Sequence, residues 1–258
     1  MQLENRVAAI TAGSRGIGRA IAETFLAEGA WVAINGRSEE KGRRAVAEMG
    51  GGERVLFVPG DVRRQADVEG FIATVIERFG RVDVLVNNAG GSSGFAPVAE
   101  LSDEAWQDAL DWTLNSTFWA TRAALRDMVS REWGRIINIS SVEGSRVNKP
   151  SVAHYVTCKH AVHGLTKAVA LEYGPHGITS NAILPGAVET DLMKTAGPEA
   201  AAAAGISYEQ FLDGYAAEAA IKRLNTAAEV AAMALLVASD VGGGITGALL
   251  DVNGGSAL

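Results

Sequence analysis

The stretch that decides the fold is Thr11-Ala12-Gly13-Ser14-Arg15-Gly16-Ile17-Gly18, which follows the apolar run Val7–Ile10 and leads into a helical pattern over residues 17–27. Glycines at such a turn let the backbone approach a phosphate, and the N-terminus of the next helix stabilises the phosphate charge. The order of strand, glycine turn and helix therefore predicts a dinucleotide pyrophosphate site. Because the spacing Gly13-x-x-Gly16-x-Gly18 is not GxGxxG, the turn alone fits a purely structural role equally well.

Short apolar runs alternate with amphipathic helical segments along the rest of the chain. The runs are typical of strands buried on both faces, and the helical segments are long enough to cross between parallel strands. We therefore predict one α/β domain over residues 1–258, a doubly wound parallel sheet (Rossmann fold) with helices on both faces. The predicted strands are residues 7–10, 31–34, 55–58, 82–86 and 136–139, and the predicted helices include 17–27, 66–79, 103–129 and 152–173.

Residues 193–225 interrupt this alternation. They contain Gly197-Pro198, an alanine run over 200–204 and an amphipathic piece over 208–220. The segment follows the carboxyl end of a strand, where open α/β sheets bind ligands, and this position predicts a helical lid over a substrate. The alternative is a helical excursion favoured only by the helix propensity of alanine.

Composition and charge narrow the class of partner. The chain has 48% apolar and 21% charged residues, and its formal net charge is −7. Such a negative charge argues against nucleic acid or an anionic membrane as the main partner, so we expect a small-molecule substrate. Cys158 is the single cysteine, which excludes an intrachain disulfide. With no signal or anchor pattern, we expect a cytoplasmic protein.

Three residues form a candidate catalytic set. Tyr155 and Lys159 lie four residues apart in a helical pattern, so their side chains share one face. A phenol titrates near about pH 10, and a nearby cation such as Lys159 would stabilise its phenolate. Ser141 follows the fifth predicted strand, where a hydroxyl can polarise a carbonyl oxygen, although Ser140 competes with it for this role.

These motifs resemble those of the short-chain dehydrogenase/reductase family, and the resemblance covers essentially the whole chain. Ala12 departs from it, because the family carries its first loop glycine there. The family resemblance implies hydride transfer between a nicotinamide cofactor and a carbonyl carbon, and assembly as a homotetramer. Besides the glycine loop, the matching positions are Asp61-Val62, Asn87-Asn88-Ala89-Gly90, Asn115, Ser141, Tyr155-x-x-x-Lys159, Pro185-Gly186, Thr190 and Val252-Asn253-Gly254-Gly255.

The resemblance also implies a role for each catalytic residue. Tyr155 delivers the proton, Ser141 orients the oxygen, and Lys159 holds the ribose and tunes Tyr155. Asn115 holds a water that relays protons to Lys159. Asparagine is a poor helix former within residues 103–129, which independently asks for an explanation.

By the same resemblance, five groups of residues contact the cofactor: the glycine loop, a pair beside the adenine, a segment beside the ribose, the catalytic helix and a segment beside the nicotinamide. An ordinary turn at the end of a strand would equally explain the ribose segment. The residues of the five groups are Gly13, Ser14, Arg15, Gly16, Ile17 and Gly18; Asp61 and Val62; Asn88, Ala89 and Gly90; Tyr155 and Lys159; and Pro185, Gly186, Val188 and Thr190.

The end of the second strand predicts which nicotinamide cofactor is used. NAD sites place an acid about 20 residues beyond the loop to bind the ribose 2′-hydroxyl, but this chain has Asn35-Gly36-Arg37-Ser38 there. The Arg37 guanidinium can grip a 2′-phosphate, and Arg15 matches a second basic position of NADP-preferring family members. We predict NADP(H) over NAD(H). The alternative is that both arginines only solvate a helix end.

The substrate pocket is predicted from residues beside the catalytic set. A carboxylate at Glu143 would repel a substrate carboxylate, which disfavours free keto acids, but a salt bridge or a solvated position at the rim fits Glu143 equally well. Histidine and cysteine pairs in this region lack two further ligands, so no metal site is predicted. The predicted pocket residues are Ser92, Phe95, Val142, Glu143, His154 and Ala187.

The stretch over residues 185–191 and the ending Val252-Asn253-Gly254-Gly255 look like those of 3-oxoacyl-acyl-carrier-protein reductases. A 3-oxoacyl thioester is therefore the leading substrate class. A hydroxysteroid or another secondary alcohol is the alternative. A regulator that senses NADP(H) without turnover is the alternative of another class, but it has no need for Tyr155.

Overall fold

The structure, a computed structural model, describes residues 1–147 and 149–256. Strands and helices alternate along these residues. In chain order the strands are β1 (Val7–Ile10), β2 (Trp31–Gly36), β3 (Val55–Pro59), β4 (Val84–Asn87), β5 (Gly134–Ile139), β6 (Ile178–Pro185) and β7 (Leu249–Val252). The helices are α1 (Gly16–Ala27), α2 (Glu39–Met49), α3 (Gln65–Phe79), α4 (Asp103–Ala109), α5 (Ser116–Met128), α6 (Ala153–Tyr173), α7 (Asp191–Ala203), α8 (Tyr208–Glu218) and α9 (Ala227–Ala238).

Within the described residues the strands form one seven-stranded sheet in the order β3-β2-β1-β4-β5-β6-β7. Every neighbouring pair is parallel. This arrangement confirms the predicted doubly wound sheet. Since β1 lies between β2 and β4, the direction of winding reverses beside β1, and a crevice opens at the carboxyl ends of these strands.

The hydrophobic core covers both faces of the sheet, as β1 illustrates. Ala8 and Ile10 face a cluster formed mainly with α1 and α9, whereas Val7 and Ala9 face a cluster formed with α3 and α5. Side chains alternate between faces along a strand, and all four of these are buried. Continuous apolar strands follow from this burial on both faces.

Two differences from the predicted elements concern β6 and the helix predicted over residues 103–129. β6 is fully buried but contains Thr179, Ser180 and Asn181, so it is not an apolar run. Asn181 is satisfied by the Ile245 carbonyl and the Ala248 amide. The predicted helix is interrupted by a π-helical turn over Leu110–Asn115, between α4 and α5.

None of the helices in the described residues combines the length and apolar character that crossing a bilayer requires.

Candidate active site

The glycine turn joins β1 to α1 with two residues in the left-handed region. Ala12 has φ of 51° and Gly16 has φ of 56°. The family has a glycine at the position of Ala12, and glycine adopts this left-handed backbone conformation without strain. For alanine the same conformation costs about 1 kcal/mol. Asn88 fixes the turn, since its amide donates to the carbonyls of Thr11 and Ala12 at 3.0 and 3.1 Å. Gly18 packs so closely on Asn88 that a Cβ would collide with it.

A first cavity of about 110 Å³ lies between this turn and the end of β2. Arg15 and Arg37 line it, and within the described part of the chain neither makes an ion pair. A Cβ at Gly36 would lie 3.3 Å from the Ser14 hydroxyl, so the glycine leaves this corner open. Asp61 and Val62 lie in the same wall.

A second cavity of about 330 Å³ continues from the first, and both share Ala12, Arg15 and Trp112. Together they form a groove along the carboxyl edge of the sheet, which we call the dinucleotide groove. Of the predicted cofactor residues, the second cavity is lined by Arg15, Gly16, Ile17, Asn88, Gly90, Tyr155, Pro185, Gly186, Val188 and Thr190.

The other predicted cofactor residues support the groove from behind. Gly13 donates its amide to the Asn35 carbonyl at 3.1 Å. Ala89 is buried and donates its amide to the Thr11 hydroxyl at 3.0 Å. Lys159 is also buried, in the layer beneath the wall.

Ser141 and Tyr155 both line the inner end of the groove, where the Ser141 side chain lies close enough to lower the pKa of the Tyr155 phenol. The Ser140 hydroxyl instead bonds Nε2 of His163 at 2.7 Å. Of the two candidate serines, Ser141 is therefore the one that lies beside Tyr155. Lys159 Nζ donates to the Ile139 carbonyl at 2.8 Å and lies 5.6 Å from the centre of the Tyr155 ring.

Burial shifts the titration of both partners. It raises the pKa of the half-buried Tyr155 phenol above its usual value; the nearby Ser141 side chain opposes this rise, and the Glu143 charge adds to it. Burial lowers the pKa of Lys159 to about 8. Tyr155 is therefore a protonated donor near neutrality, and Lys159 carries its charge below about pH 8.

The structure does not bring the Asn115 side chain to the catalytic set. Its amide donates to Asp111 at 2.6 Å, one turn earlier in the π-helical segment. Thr113 lies closer to the site: its buried hydroxyl bonds both the amide and the carbonyl of Gly91 at 3.0 Å. A Cβ at Gly90 would lie 3.4 Å from this hydroxyl and 3.1 Å from Lys159 Nζ. The helical pattern gave no signal of the π-helical turn that separates Thr113 from Asn115.

A third cavity, of about 510 Å³, opens on the other side of Ser141 and Tyr155, and we call it the substrate cavity. Five of the six predicted pocket residues line it: Ser92, Phe95, Val142, Glu143 and Ala187. His154 does not. It is buried behind the wall, where Nε2 bonds the Ser93 carbonyl at 2.9 Å and the ring meets Phe95 edge-on. The intervening loop therefore separates His154 from the cavity, which corrects its predicted placement.

Residues from the segment predicted as a lid also line the substrate cavity, among them Tyr215 and Glu218 of α8. Glu218 pairs with Arg146 at 3.4 Å, and Lys149 lies 3.5 Å from the centre of the Tyr215 ring. Sequence reasoning missed Arg146 and Lys149, which lie only a few residues beyond Ser141. Their position after the fifth strand was the sequence signal that could have placed them in the cavity wall.

The described residues contain no group of three or more histidine, cysteine, aspartate or glutamate side chains placed to hold a metal ion.

A dinucleotide groove that meets a Ser–Tyr–Lys cluster at the edge of a parallel sheet defines an oxidoreductase of the Rossmann class. The chain belongs to the short-chain dehydrogenase family, whose model, described as short chain dehydrogenase, matches residues 6–201. It is thus an oxidoreductase that acts on CH–OH and C=O groups.

Relatives cover nearly the whole chain. A protein of Streptomyces virginiae, described as a ketoacyl reductase of the monensin polyketide synthase, is 40% identical over 98% of both chains. A 3beta-hydroxysteroid dehydrogenase of Mediterraneibacter gnavus is 38% identical over 98% of this chain and 95% of its own. A tryptophan variant of the actinorhodin polyketide ketoreductase, solved with NADPH, superposes with a TM-score of 0.92 at 36% identity, covering 100% of this chain and 98% of the other.

Proposed function

We propose that this protein is an NADP(H)-dependent ketone reductase with 3-oxoacyl thioesters as its leading substrate class. The observation that carries the proposal is the shared position of Ser141 and Tyr155 between two cavities. Both residues line the dinucleotide groove on one side and the substrate cavity on the other. A carbonyl in the cavity would therefore meet the pair beside the groove.

Each catalytic residue has a distinct role in this proposal. A bound nicotinamide would supply hydride to the carbonyl carbon. Tyr155 donates its proton to the carbonyl oxygen, and Ser141 orients that oxygen with a second hydrogen bond. The charge of Lys159 stabilises the phenolate that remains. The amide of Asn115 is bound to Asp111, and the relay of protons to Lys159 through a water at Asn115 stays a prediction.

The groove fits the cofactor in shape and charge. The backbone of the glycine turn, with its left-handed Gly16, leaves room for the pyrophosphate at the N-terminus of α1. Asp61 and Val62 would contact the adenine, and the rest of the cofactor would lie along Asn88, Gly90, Gly186, Val188 and Thr190.

Arg37 and Arg15 support NADP(H) over NAD(H), since both arginines line the adenosine end without an ion pair in the described residues. Arg37→Asp should lower the NADPH-to-NADH ratio of kcat/KM at least about tenfold, because a charge-assisted hydrogen bond is replaced by repulsion. Arg44→Asp is the matched control, since Arg44 is exposed on α2 outside the groove. An unchanged ratio in Arg37→Asp would contradict the NADP(H) assignment.

Two facts support a 3-oxoacyl thioester. The Streptomyces virginiae relative is described as a ketoacyl reductase, and the substrate cavity has room for an acyl chain beside α8. We propose residues 193–225, which include α8, as the lid. A cyclic secondary alcohol is the second candidate, favoured by the aromatic wall of Phe95, Trp112 and Tyr215.

The test is the loss of NADPH absorbance with a 3-oxoacyl thioester, a steroid ketone and a simple cyclic ketone, with NADH in parallel. We expect turnover of at least one ketone, highest for the thioester. Turnover of the steroid alone would replace the leading substrate with the second candidate. NADPH binding without any turnover would contradict the proposal and favour a cofactor-sensing regulator.

A further inference from the structure

Glu143 is a buried carboxylate beside the catalytic pair that the proposed mechanism does not use. It belongs to the short 3₁₀ turn Val142–Gly144, and its amide donates to the Ser141 hydroxyl oxygen at 3.2 Å. Only 8% of the residue is exposed, and it forms part of the substrate-cavity wall. Neither sequence alternative holds, because Glu143 is not at a solvated rim and makes no salt bridge within the described residues.

The carboxylate has no hydrogen-bond donor in the described part of the protein. Oε2 is enclosed and unpaired, and no described group donates to the other oxygen. A buried charged acceptor without a donor is costly, and native proteins rarely leave one unsatisfied. A ligand in the substrate cavity can supply a donor to Oε1, the carboxylate oxygen that is not enclosed.

The three cationic side chains of the cavity do not neutralise Glu143, because each is engaged elsewhere. Arg146 pairs with Glu218, Lys149 lies over the Tyr215 ring, and Arg223 pairs with Glu229 at 2.6 Å. Lys149 has no carboxylate partner among the described residues, so its charge still makes the cavity unfavourable for a ligand that is itself a cation. A neutral hydroxyl is therefore a better donor for Glu143 than an ammonium group.

From these contacts we propose that Glu143 is a specificity-determining residue that accepts a hydrogen bond from a hydroxyl group of the substrate. The substrate class is a ketone that carries a hydroxyl near the carbonyl to be reduced, or the corresponding diol in the reverse direction. This inference rests on the substrate cavity being the ketone site, and it narrows the proposed 3-oxoacyl thioesters to those that also carry a hydroxyl group. It also predicts discrimination against a carboxylate next to the reacting carbon, which Glu143 would repel.

Binding to the NADP⁺ complex tests the inference without relying on turnover. Dissociation constants are measured by ligand-observed NMR for cyclohexanol, for its 1,2-, 1,3- and 1,4-diols and for the corresponding amino alcohols. A hydroxyl on a charged acceptor should make at least one diol bind about tenfold or more tightly than cyclohexanol. The amino alcohol of the same geometry should bind more weakly than that diol.

Two variants at Glu143 and one control variant distinguish the loss of the hydroxyl contact from the loss of one negative charge. Glu143→Leu should reduce the diol preference to within about threefold, whereas Glu143→Gln, which keeps the shape and an acceptor oxygen, should retain part of it. Glu209→Gln removes the same charge from the exposed first turn of α8, outside the cavity lining, and should keep the preference. Thermal unfolding and NADPH affinity establish that each variant is folded.

Several outcomes would overturn the inference: no diol preference in the unmodified protein, an unchanged preference in Glu143→Leu, or tighter binding of the amino alcohol. Ketone turnover is scored separately. A diol preference that depends on Glu143 in a protein that reduces no ketone would contradict the proposed function and support the Glu143 contact. Ketone reduction without a diol preference would support the proposed function and contradict the Glu143 contact.

Discussion

At the scale of single residues, the pKa values of Tyr155 and Lys159 depend on their burial, which their spacing along the helix does not reveal. The four-residue spacing places them on one helix face, but it does not show that Lys159 is buried against the Ile139 carbonyl. Nor does it show that Glu143 acts on the phenol from another segment. These effects keep Tyr155 protonated, which suits it to give a proton rather than to take one.

The effect of burial on the pKa of His163 can be tested by measuring the free energy of unfolding at different pH values. Burial lowers its pKa to about 4 from an ordinary 6.5. The unfolded chain therefore binds the proton more readily, so this contribution to stability is complete above about pH 6.5 and is lost as pH falls towards about 4. Replacing the ring removes the effect.

Between about pH 7.5 and pH 4.5, the unmodified protein should lose about 2 kcal/mol more of its free energy of unfolding than His163→Gln does. Urea unfolding at one protein concentration measures both. Equal losses in the two proteins would show that His163 does not titrate with a depressed pKa.

At the scale of elements, the π-helical turn between α4 and α5 decides which side chain reaches the site. The hydroxyl of Thr113 binds the Gly91 backbone beside Lys159, while Asn115 is bound to Asp111. Apolar periodicity predicted one helix over residues 103–129, because a single wider turn barely disturbs a pattern of this length. The sequence therefore indicated the correct segment but gave no signal of the role of Thr113.

This difference predicts unequal effects of two substitutions. Thr113→Val leaves two part-buried backbone groups of Gly91 without their partner, which should cost about 2 kcal/mol of stability and lower kcat/KM by displacing the segment beside Lys159. Asn115→Ala removes one half-buried bond and should cost less than about 1 kcal/mol. Chemical unfolding and steady-state kinetics of both variants would contradict this account if Asn115→Ala were the more damaging.

The sequence predicts well those elements whose signal is local. The parallel sheet follows from apolar runs such as Val7–Ile10, and the groove follows from the glycine turn. The substrate cavity is less predictable, because its wall combines Arg146 with Glu218, which lie far apart along the chain. His154 shows the opposite error, since closeness in sequence to Tyr155 placed it in a wall from which the Ser93 loop separates it.

At the scale of the whole molecule, exposed apolar side chains on the outer helices support the homotetramer expected from the family resemblance. Trp106, Phe118 and Leu171 are 38%, 41% and 83% exposed in the single chain. Burying such side chains is a common reason for symmetric assembly. Light scattering should give about 108 kDa, four times the 26.9 kDa chain, and a mass of one chain would contradict the expectation.

The central claim is that Tyr155 gives the proton to a carbonyl held between the groove and the substrate cavity. The most direct measurement is ketone reduction by Tyr155→Phe, which keeps the ring and removes only the hydroxyl, together with NADPH affinity by fluorescence. The account predicts that kcat falls at least about a hundredfold while the NADPH dissociation constant stays within about threefold. Undiminished reduction by Tyr155→Phe would contradict it.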